Sequence, residues 1–320
     1  MIYITDYVDD SDIELNISGE IPVYTYRDSV VPFDEITVLL VWHEHINKSF
    51  LARFPNVKFI QRYGVGYDEI DLEYLRIKNI KFSNNPDYGV EEVALTAMSM
   101  ILDLTRNTSE YNSIARKLIE TNSKTWQENT LPSTQRLSEQ SLGIVGFGRI
   151  GQKLAILAKN IFKNIYVYDP FLRSGVEKVF NVTKVASLDF IAQKCHVVSF
   201  NCPVNDGSRG MINKEFINKL DNCVIVNTAR GELIHSLSDI ADGLHHGKIK
   251  SIGLDVLPKE PPIKDSLIDQ FMGGEYSDRI IINPHTAYYS QSSYLEMRTK
   301  AAQNCIDFIR GGSVRNLICD

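Results

Sequence analysis

The chain has 320 residues, enough for two domains of ordinary size with a core each. Hydrophobic residues at 43% beside 23% charged are the proportions of an ordinary globular protein. A net charge of -6 with no basic run or stripe argues against a nucleic-acid footprint, although single arginines can still meet a small anion.

The opening residues, MIYITDYVDDSDIEL, begin as a short apolar strand and turn acidic at once, without the basic then apolar layout of a signal peptide. No apolar run is long enough to span a bilayer, so no membrane partner is expected. The five cysteines, Cys195, Cys202, Cys223, Cys305 and Cys319, are odd in number and unpatterned. They predict reduced thiols in a cytoplasmic protein.

Short β-branched runs alternate with helix-period segments almost from end to end, the signature of a parallel α/β architecture. In the first third, residues 2–5, 38–42 and 57–60 are predicted as buried strands. A longer helix follows with Val93, Ala94, Ala97, Met98, Ile101 and Leu102 on one apolar face. From about residue 104 a polar helical stretch leads to the middle third, where LGIVGFG (142–148) reads as a strand running into a glycine turn. The next helix is expected to bury Ile150, Leu154, Leu157, Ala158 and Ile161, and strands follow at 165–169, 196–202, 223–229, 249–256 and 280–285, with helices opened by Ser187 and Asn213 between. The last helix shows Ser293 with Glu296 three residues on, a capping-box spacing, and is expected to bury Leu295, Ala302, Cys305 and Ile306. The helix before the glycine turn and the final helix lie outside the regular unit. That arrangement predicts a first domain made from both chain ends with a nucleotide domain inserted between them.

GFGRIG places Gly146, Gly148 and Gly151 in G-x-G-x-x-G spacing. The first glycine allows the tight turn, the second lets backbone N–H groups approach a pyrophosphate, and the third lets the helix pack on the strand. Alone the pattern is weak. Its context is stronger: a strand precedes it, a helix begins at Arg149 or Ile150, and Asp169 ends the next strand 18 residues after Gly151. A carboxylate there accepts both ribose hydroxyls of NAD and repels a 2′-phosphate, so NAD is expected rather than NADP. The plainer alternative for Asp169 is a turn residue before Pro170. A second regularity supports the nucleotide reading. Gly146, Asp169, Asn201-Cys202-Pro203, Thr228-Ala229-Arg230, Asp255 and His285 fall at the ends of successive predicted strands, where doubly wound sheets collect ligand-handling groups.

The ordered set RYGVGYDEID (62–71), GFGRIG, YDP (168–170), NTARGELI (227–234), GLDVLPKEPP (253–262) and NPHTAYYS (283–290) resembles the D-isomer-specific 2-hydroxyacid dehydrogenases over nearly the whole chain. Within that family the motifs are most similar to the phosphoglycerate dehydrogenase and C-terminal-binding protein branch, while PHTAYY is also similar to D-lactate dehydrogenases. The resemblance implies two Rossmann-like α/β domains, a doubly wound NAD-binding domain (104–286) inserted into a flavodoxin-like substrate domain (1–103 and 287–320). It implies a homodimer, NAD as cofactor, and a 2-oxo or 2-hydroxy acid as the small-molecule partner. By position the family's arginine falls on Arg230, its acidic residue on Glu260 and its histidine on His285. The cofactor falls to Gly146, Gly148, Arg149, Ile150, Gly151, Asp169, Cys202, Pro203, Thr228, Ala229 and Asp255. The substrate falls to the backbone N–H groups of Val65 and Gly66, to Arg230 and to Tyr288, with Arg62 and His43 weaker candidates for its distal end.

Some positions depart from the family pattern. Asn201-Cys202-Pro203 stands where His-x-Pro is usual, and Val93-Ala94-Leu95 where the third residue is usually acidic. Formate dehydrogenase-like members carry glutamine at the place of Glu260, which disfavours that reading. No regulatory domain follows residue 320, so a feedback-inhibited long form is not expected.

The implied chemistry has a physical basis. Reduction of a 2-oxo acid needs a hydride at C2 and a proton on the oxyanion. An imidazolium supplies that proton near neutral pH, since histidine titrates at about 6.5. A carboxylate on the far ring nitrogen fixes the tautomer, the role assigned to Glu260, and a planar arginine cation holds the substrate carboxylate and polarises its carbonyl. Singly, each has a bland alternative: Arg230 as a surface arginine, Glu260 as a loop acid among prolines, His285 as a loop cap. His245 and His246 read as a solvated helix end, and His196 and His235 as structural. A metal at His43 and His45 is not expected, because no acidic or cysteine cluster completes a site. Two further functions compete with a dehydrogenase of D-2-hydroxy acids: an NAD(H)-sensing scaffold that recruits partners, and an enzyme with an inorganic substrate such as phosphite.

Overall fold

Two parallel sheets organise the chain in the computed structural model, which describes all residues except 7–9, 132 and 133, 275 and 320. Part of the acidic stretch after the first strand therefore lies outside the described residues. The strands are β1 (Ile2–Ile4), β2 (Val23–Thr25), β3 (Val38–Val41), β4 (Phe59–Arg62), β5 (Lys81–Ser83), β6 (Ser141–Val145), β7 (Asn164–Tyr168), β8 (Thr183–Lys184), β9 (Val197–Phe200), β10 (Cys223–Asn227), β11 (Ile249–Leu254), β12 (Ile280–Ile282) and β13 (Leu317–Cys319).

The chain divides into one compact unit of residues 1–89 with 289–320 and a second of residues 90–288. The first sheet has the order β13-β5-β4-β3-β1-β2, parallel except for β13, which runs antiparallel to β5. Without β13 this is the flavodoxin-like order, with its switch point between β1 and β3. The second sheet, β12-β11-β10-β9-β6-β7-β8, is parallel throughout and has the doubly wound order with its switch point between β6 and β9. Strands β3, β6, β9 and β10 are buried along their whole length, as sheets covered on both faces require.

The sequence-based boundary at 103/104 and the observed one at 89/90 differ by the helix Val90–Arg106. That helix buries Ala97, Met98, Ile101 and Leu104 in one cluster with Leu142, Ile144, Val224 and Val226 of the second sheet. Its apolar face is the covering layer of that sheet, so it packs with the second unit.

Two details of the last helix, Gln291–Ile309, correct the sequence reading. Its N-cap is Ser290, whose side chain accepts from Ser293 N–H while Ser293 returns a bond to Ser290 N–H, so the capping box lies three residues earlier than the Ser293 and Glu296 spacing suggests. Leu295 is 53% exposed, whereas Ala302, Cys305 and Ile306 are buried. The buried stripe runs instead through Met297, Arg298, Ala301 and Cys305, which keep the spacing of three and four. Ser187 and Asn213 do cap their helices, each accepting from the N–H three residues on.

Candidate active site

The turn after β6 is built by close approach. Gly146 has φ 88, and a Cβ there would stand 2.7 Å from the Cys202 backbone nitrogen. A Cβ on Gly151 would stand 2.3 Å from the Gly146 carbonyl oxygen, so the helix Arg149–Ala158 lies directly on the turn. At Gly148, by contrast, nothing lies within 4 Å of the added carbon. The turn is closed towards the protein and open at its middle glycine, where first-turn N–H groups of the helix lack intrahelical partners. Beyond β7, Asp169 accepts from Phe147 N–H at 2.8 Å with one oxygen and from Phe171 N–H at 2.9 Å with the other. Its carboxylate is thereby tied to the glycine turn.

The ends of β9 and β10 carry two oxygens that suggest a ligand. Asn201 donates its amide to the Ser199 carbonyl and hydroxyl, each at 3.1 Å, which leaves its Oδ1 buried without a hydrogen-bond partner among the described residues. The Thr228 hydroxyl is in the same condition. Burying such a group unpaired costs about 1–3 kcal/mol, so donors of a bound dinucleotide fit here. Burial pushes the Cys202 thiol up to about 12, and the Asp169 charge adds to that against a local backbone hydrogen bond. Cys202 is a neutral packing group at neutral pH.

Adjacent strand ends of the same sheet bring the remaining residues together. Asp255 N–H bonds the Asn227 carbonyl, and His285 N–H bonds the Asp255 carbonyl at 2.8 Å, which extends the sheet ladder into the loops. The Asp255 side chain, almost fully buried, accepts from Thr286 and Ala287 N–H at 3.0 Å each. Burial raises its carboxyl, against the pull of those amides and of the His285 charge. These bonds hold His285 at φ 55, a backbone region that a residue with a Cβ occupies only when its surroundings impose it.

The His285 ring reaches Glu260, with Nδ1 2.7 Å from Oε2, while the other Glu260 oxygen accepts from Leu257 N–H at 2.8 Å. Burial alone would raise the Glu260 carboxyl. The His285 hydrogen bond and charge, the Leu257 amide and the Arg230 charge outweigh it and hold the carboxyl below its ordinary range. Glu260 is therefore a carboxylate at neutral pH, and Nδ1 of His285 is the donor. Arg230 is fixed by its own turn: Asn227 donates to the Arg230 carbonyl at 2.8 Å and accepts from Ala229 N–H, and the guanidinium donates to the Ala229 carbonyl at 2.8 Å.

Arg230, Glu260 and His285 thus lie within one electrostatic cluster of the second unit, and Asp255 braces it. Tyr288 is half-buried at the end of that unit. Val65 and Gly66 belong to the first unit, where their loop is pinned by Asn84 donating to the Val65 carbonyl at 2.6 Å and Asn85 N–H donating to Gly64 at 3.1 Å. Arg62 is buried there and paired with Glu69 at 3.2 Å. Of the other histidines, His196 is exposed and accepts from Ser141 N–H at 3.2 Å, and His235 is exposed with Nδ1 3.1 Å from Asp239.

Two residues escaped the sequence reading. A Cβ on Gly231 would stand 1.9 Å from the Leu257 carbonyl oxygen, so only glycine lets the Arg230 turn lie against the loop that carries Glu260. Asn227 is fully buried and shapes the same turn. Both sit inside NTARGELI, yet their neighbours are remote in sequence, and no local signal reports a 1.9 Å approach.

A sheet of this order, with its glycine turn and a cluster of ionisable groups at the same edge, is the dinucleotide-binding part of an oxidoreductase. Residues 98–287 match the family model for the D-isomer specific 2-hydroxyacid dehydrogenase NAD binding domain, and the chain belongs to that family, with NAD as its cofactor. It is 28% identical over 268 residues to a hydroxypyruvate reductase of Blautia hydrogenotrophica, covering 83% of this chain and 80% of that protein. It is 30% identical over 289 residues to C-terminal-binding protein 1 of Caenorhabditis elegans, covering 89% of this chain but only 39% of that longer protein. The fold matches that of D-lactate dehydrogenase from Aquifex aeolicus, solved with NAD and lactic acid, with a TM-score of 0.83 over 97% of this chain and 96% of that one at 23% identity.

Proposed function

We propose that the protein is an NAD-dependent dehydrogenase that interconverts a 2-oxo acid and a D-2-hydroxy acid. The observation that carries this reading is the 2.7 Å bond between His285 Nδ1 and Glu260 Oε2, with the Arg230 charge acting on the same carboxylate. Because Glu260 occupies Nδ1, Nε2 is the nitrogen that gives its proton to the developing C2 oxyanion and takes it back in oxidation. Glu260 holds the ring orientation and stabilises the imidazolium form. Arg230 binds the substrate carboxylate and polarises the C2 carbonyl.

When bound, the nicotinamide supplies or accepts the hydride at C2. Gly146 and Gly148, with the N–H groups of Arg149 and Ile150, hold the pyrophosphate, and Gly151 seats the helix. Asp169 accepts the ribose hydroxyls. Cys202, Pro203, Thr228, Ala229 and Asp255 line the rest of the cofactor's path along the strand ends. Val65 and Gly66 N–H groups receive the substrate carboxylate, and Tyr288 contacts its side chain. The relative named as a hydroxypyruvate reductase supports an oxo-acid substrate.

The working form in this reading is a cytoplasmic homodimer. The helix Thr108–Glu120 buries none of its residues although its apolar positions share a face, and Trp126 just beyond it is 60% exposed, which suits a second copy. Among the described residues no helix is long and apolar enough to cross a membrane, and all five cysteines are unpaired.

The test is NADH oxidation with pyruvate, glyoxylate, hydroxypyruvate, phosphohydroxypyruvate and branched 2-oxo acids, repeated with His285→Ala. Turnover of at least one acid, lost in the variant by about 10²-fold or more, is the expected result. A protein that binds NADH tightly and turns over none of them is an NAD(H)-sensing scaffold instead.

A further inference from the structure

We propose that Asn201 and Thr228 form the subsite for the ribose that carries the nicotinamide, and that Asn201 Oδ1 accepts from one of its hydroxyls. The inference rests on the cofactor part of the proposed function and deepens it, and binding alone tests it.

Strand order gives the place. Across the second sheet the order β7, β6, β9, β10, β11 sets Asp169, the Gly146 turn, Asn201, Thr228 and Asp255 side by side at the strand ends. The dinucleotide runs along the same edge, with the adenosine ribose at the acid after β7 and the pyrophosphate at the glycine turn. The redox ring belongs beside Arg230 and His285, further along that edge. Between the turn and the ring lie the ends of β9 and β10, each strand about 4.8 Å from the next. The covalent group that joins pyrophosphate to ring is the second ribose.

Local geometry agrees. A Cβ on Gly146 would stand 2.8 Å from the Asn201 carbonyl carbon and oxygen, so Asn201 lies against the turn. Phe200 and Asn227 are register partners on β9 and β10, and Asn201 and Thr228 are the next residues along each strand. Ser199 and Val226 are partners as well, and strand alternation sets Asn201 and Thr228 on their face of the sheet. That face is covered by the helix Arg149–Ala158, whose Leu154 shares a cluster with Val226.

Hydrogen-bonding capacity selects the group. Asn201 commits its amide nitrogen to the Ser199 carbonyl and hydroxyl, each at 3.1 Å. Turning the amide over would set its own oxygen against the Ser199 carbonyl, acceptor against acceptor. Oδ1 is therefore an acceptor, buried and without a partner among the described residues, and the buried Thr228 hydroxyl is without one too. Such groups are costly to bury unless a ligand supplies the missing bond. Phosphate oxygens only accept, so the end of a nucleoside triphosphate would leave Oδ1 unsatisfied. Ribose hydroxyls donate and accept, and they serve both residues. The pair thereby separates a dinucleotide from a mononucleotide that shares its adenosine and phosphates. Asn201 is also a position at which the chain departs from the His-x-Pro usual in the family, so this acceptor is a feature of the chain itself.

The experiment measures dissociation constants by calorimetry for NAD, ADP-ribose and ADP with the native protein, Asn201→Leu and Thr228→Val. ADP lacks the second ribose, and ADP-ribose has it without the nicotinamide. Each variant should weaken NAD and ADP-ribose by about tenfold and leave ADP within about twofold. Thr228→Val replaces an unpaired hydroxyl by a methyl of similar shape, so the ligand-free variant should melt at or above the native temperature. A lower melting temperature gives Thr228 a packing role and overturns its part in the subsite. Weakening of NAD alone assigns Oδ1 to the carboxamide and overturns the inference, as does equal weakening of all three ligands or of none. Native protein that binds none of the three overturns the cofactor site together with the inference.

Discussion

Glu260 and His285, 25 residues apart in the chain, share a 2.7 Å hydrogen bond, and the carboxyl is held below its ordinary range. A carboxyl depressed in the folded state contributes stability that is present above its unfolded titration and lost only as the pH falls through the folded value. The pair should therefore survive acidification through the usual carboxylate range. Glu260→Gln removes the counter-charge. We expect kcat/KM for reduction to fall by about 10–100-fold, with the alkaline loss of activity moved to lower pH, as read from pH–rate profiles of the two proteins. A profile of unchanged shape would remove Glu260 from its role beside the imidazole.

Arg230→Lys keeps the charge and loses the planar fork. If Arg230 holds the substrate carboxylate, kcat/KM should drop by about 10²-fold while the NADH dissociation constant stays within a few-fold. Equal losses in NADH binding and turnover would place Arg230 with the cofactor instead.

Gly148→Ala and Gly231→Ala form a contrasting pair. The carbon added at Gly148 meets no atom within 4 Å, so thermal stability should be unchanged while NADH binding weakens about tenfold or more. The carbon added at Gly231 falls 1.9 Å from the Leu257 oxygen, and the loop must move. Overpacking of this kind costs about 1–3 kcal/mol, visible as a lower melting temperature, and should impair turnover as well by shifting Glu260.

Asp169→Ala should narrow the preference for NADH over NADPH by at least about tenfold, measured as the ratio of the two dissociation constants. Because the carboxylate also accepts from Phe147 and Phe171 N–H, a loss of about 1 kcal/mol in stability should accompany it.

The first unit holds a buried ion pair whose disruption should be purely structural. Arg298, 1% exposed, donates to both oxygens of Glu14, and Tyr63 donates to the same carboxylate at 2.8 Å. Glu14→Ala leaves the guanidinium buried and should cost about 3–5 kcal/mol in chemical denaturation. The NADH dissociation constant of the folded fraction should not change.

Much of this architecture was legible in the chain. Continuous apolar runs such as VLLVW and CVIVNTA mark strands covered on both faces, and a glycine turn between strand and helix is a local event that local spacing records. Strands β2, β5 and β13 were not, because each gains its identity from the strand it lies beside rather than from its own residues. The helix Val90–Arg106 shows the same limit: its apolar stripe is plain, but which sheet the stripe covers is not a property of the stripe.

Residue order alone pointed to a parallel α/β architecture and the dinucleotide turn through periodicity and local spacing, and to the family through the resemblance of an ordered set of motifs. Only the tertiary structure decided that His285 takes a left-handed backbone under the hold of Asp255, that Nδ1 is the nitrogen given to Glu260, and that Gly231 must lack a side chain. Those facts depend on groups brought together from three strand ends, and distances between remote segments are set by how the layers pack.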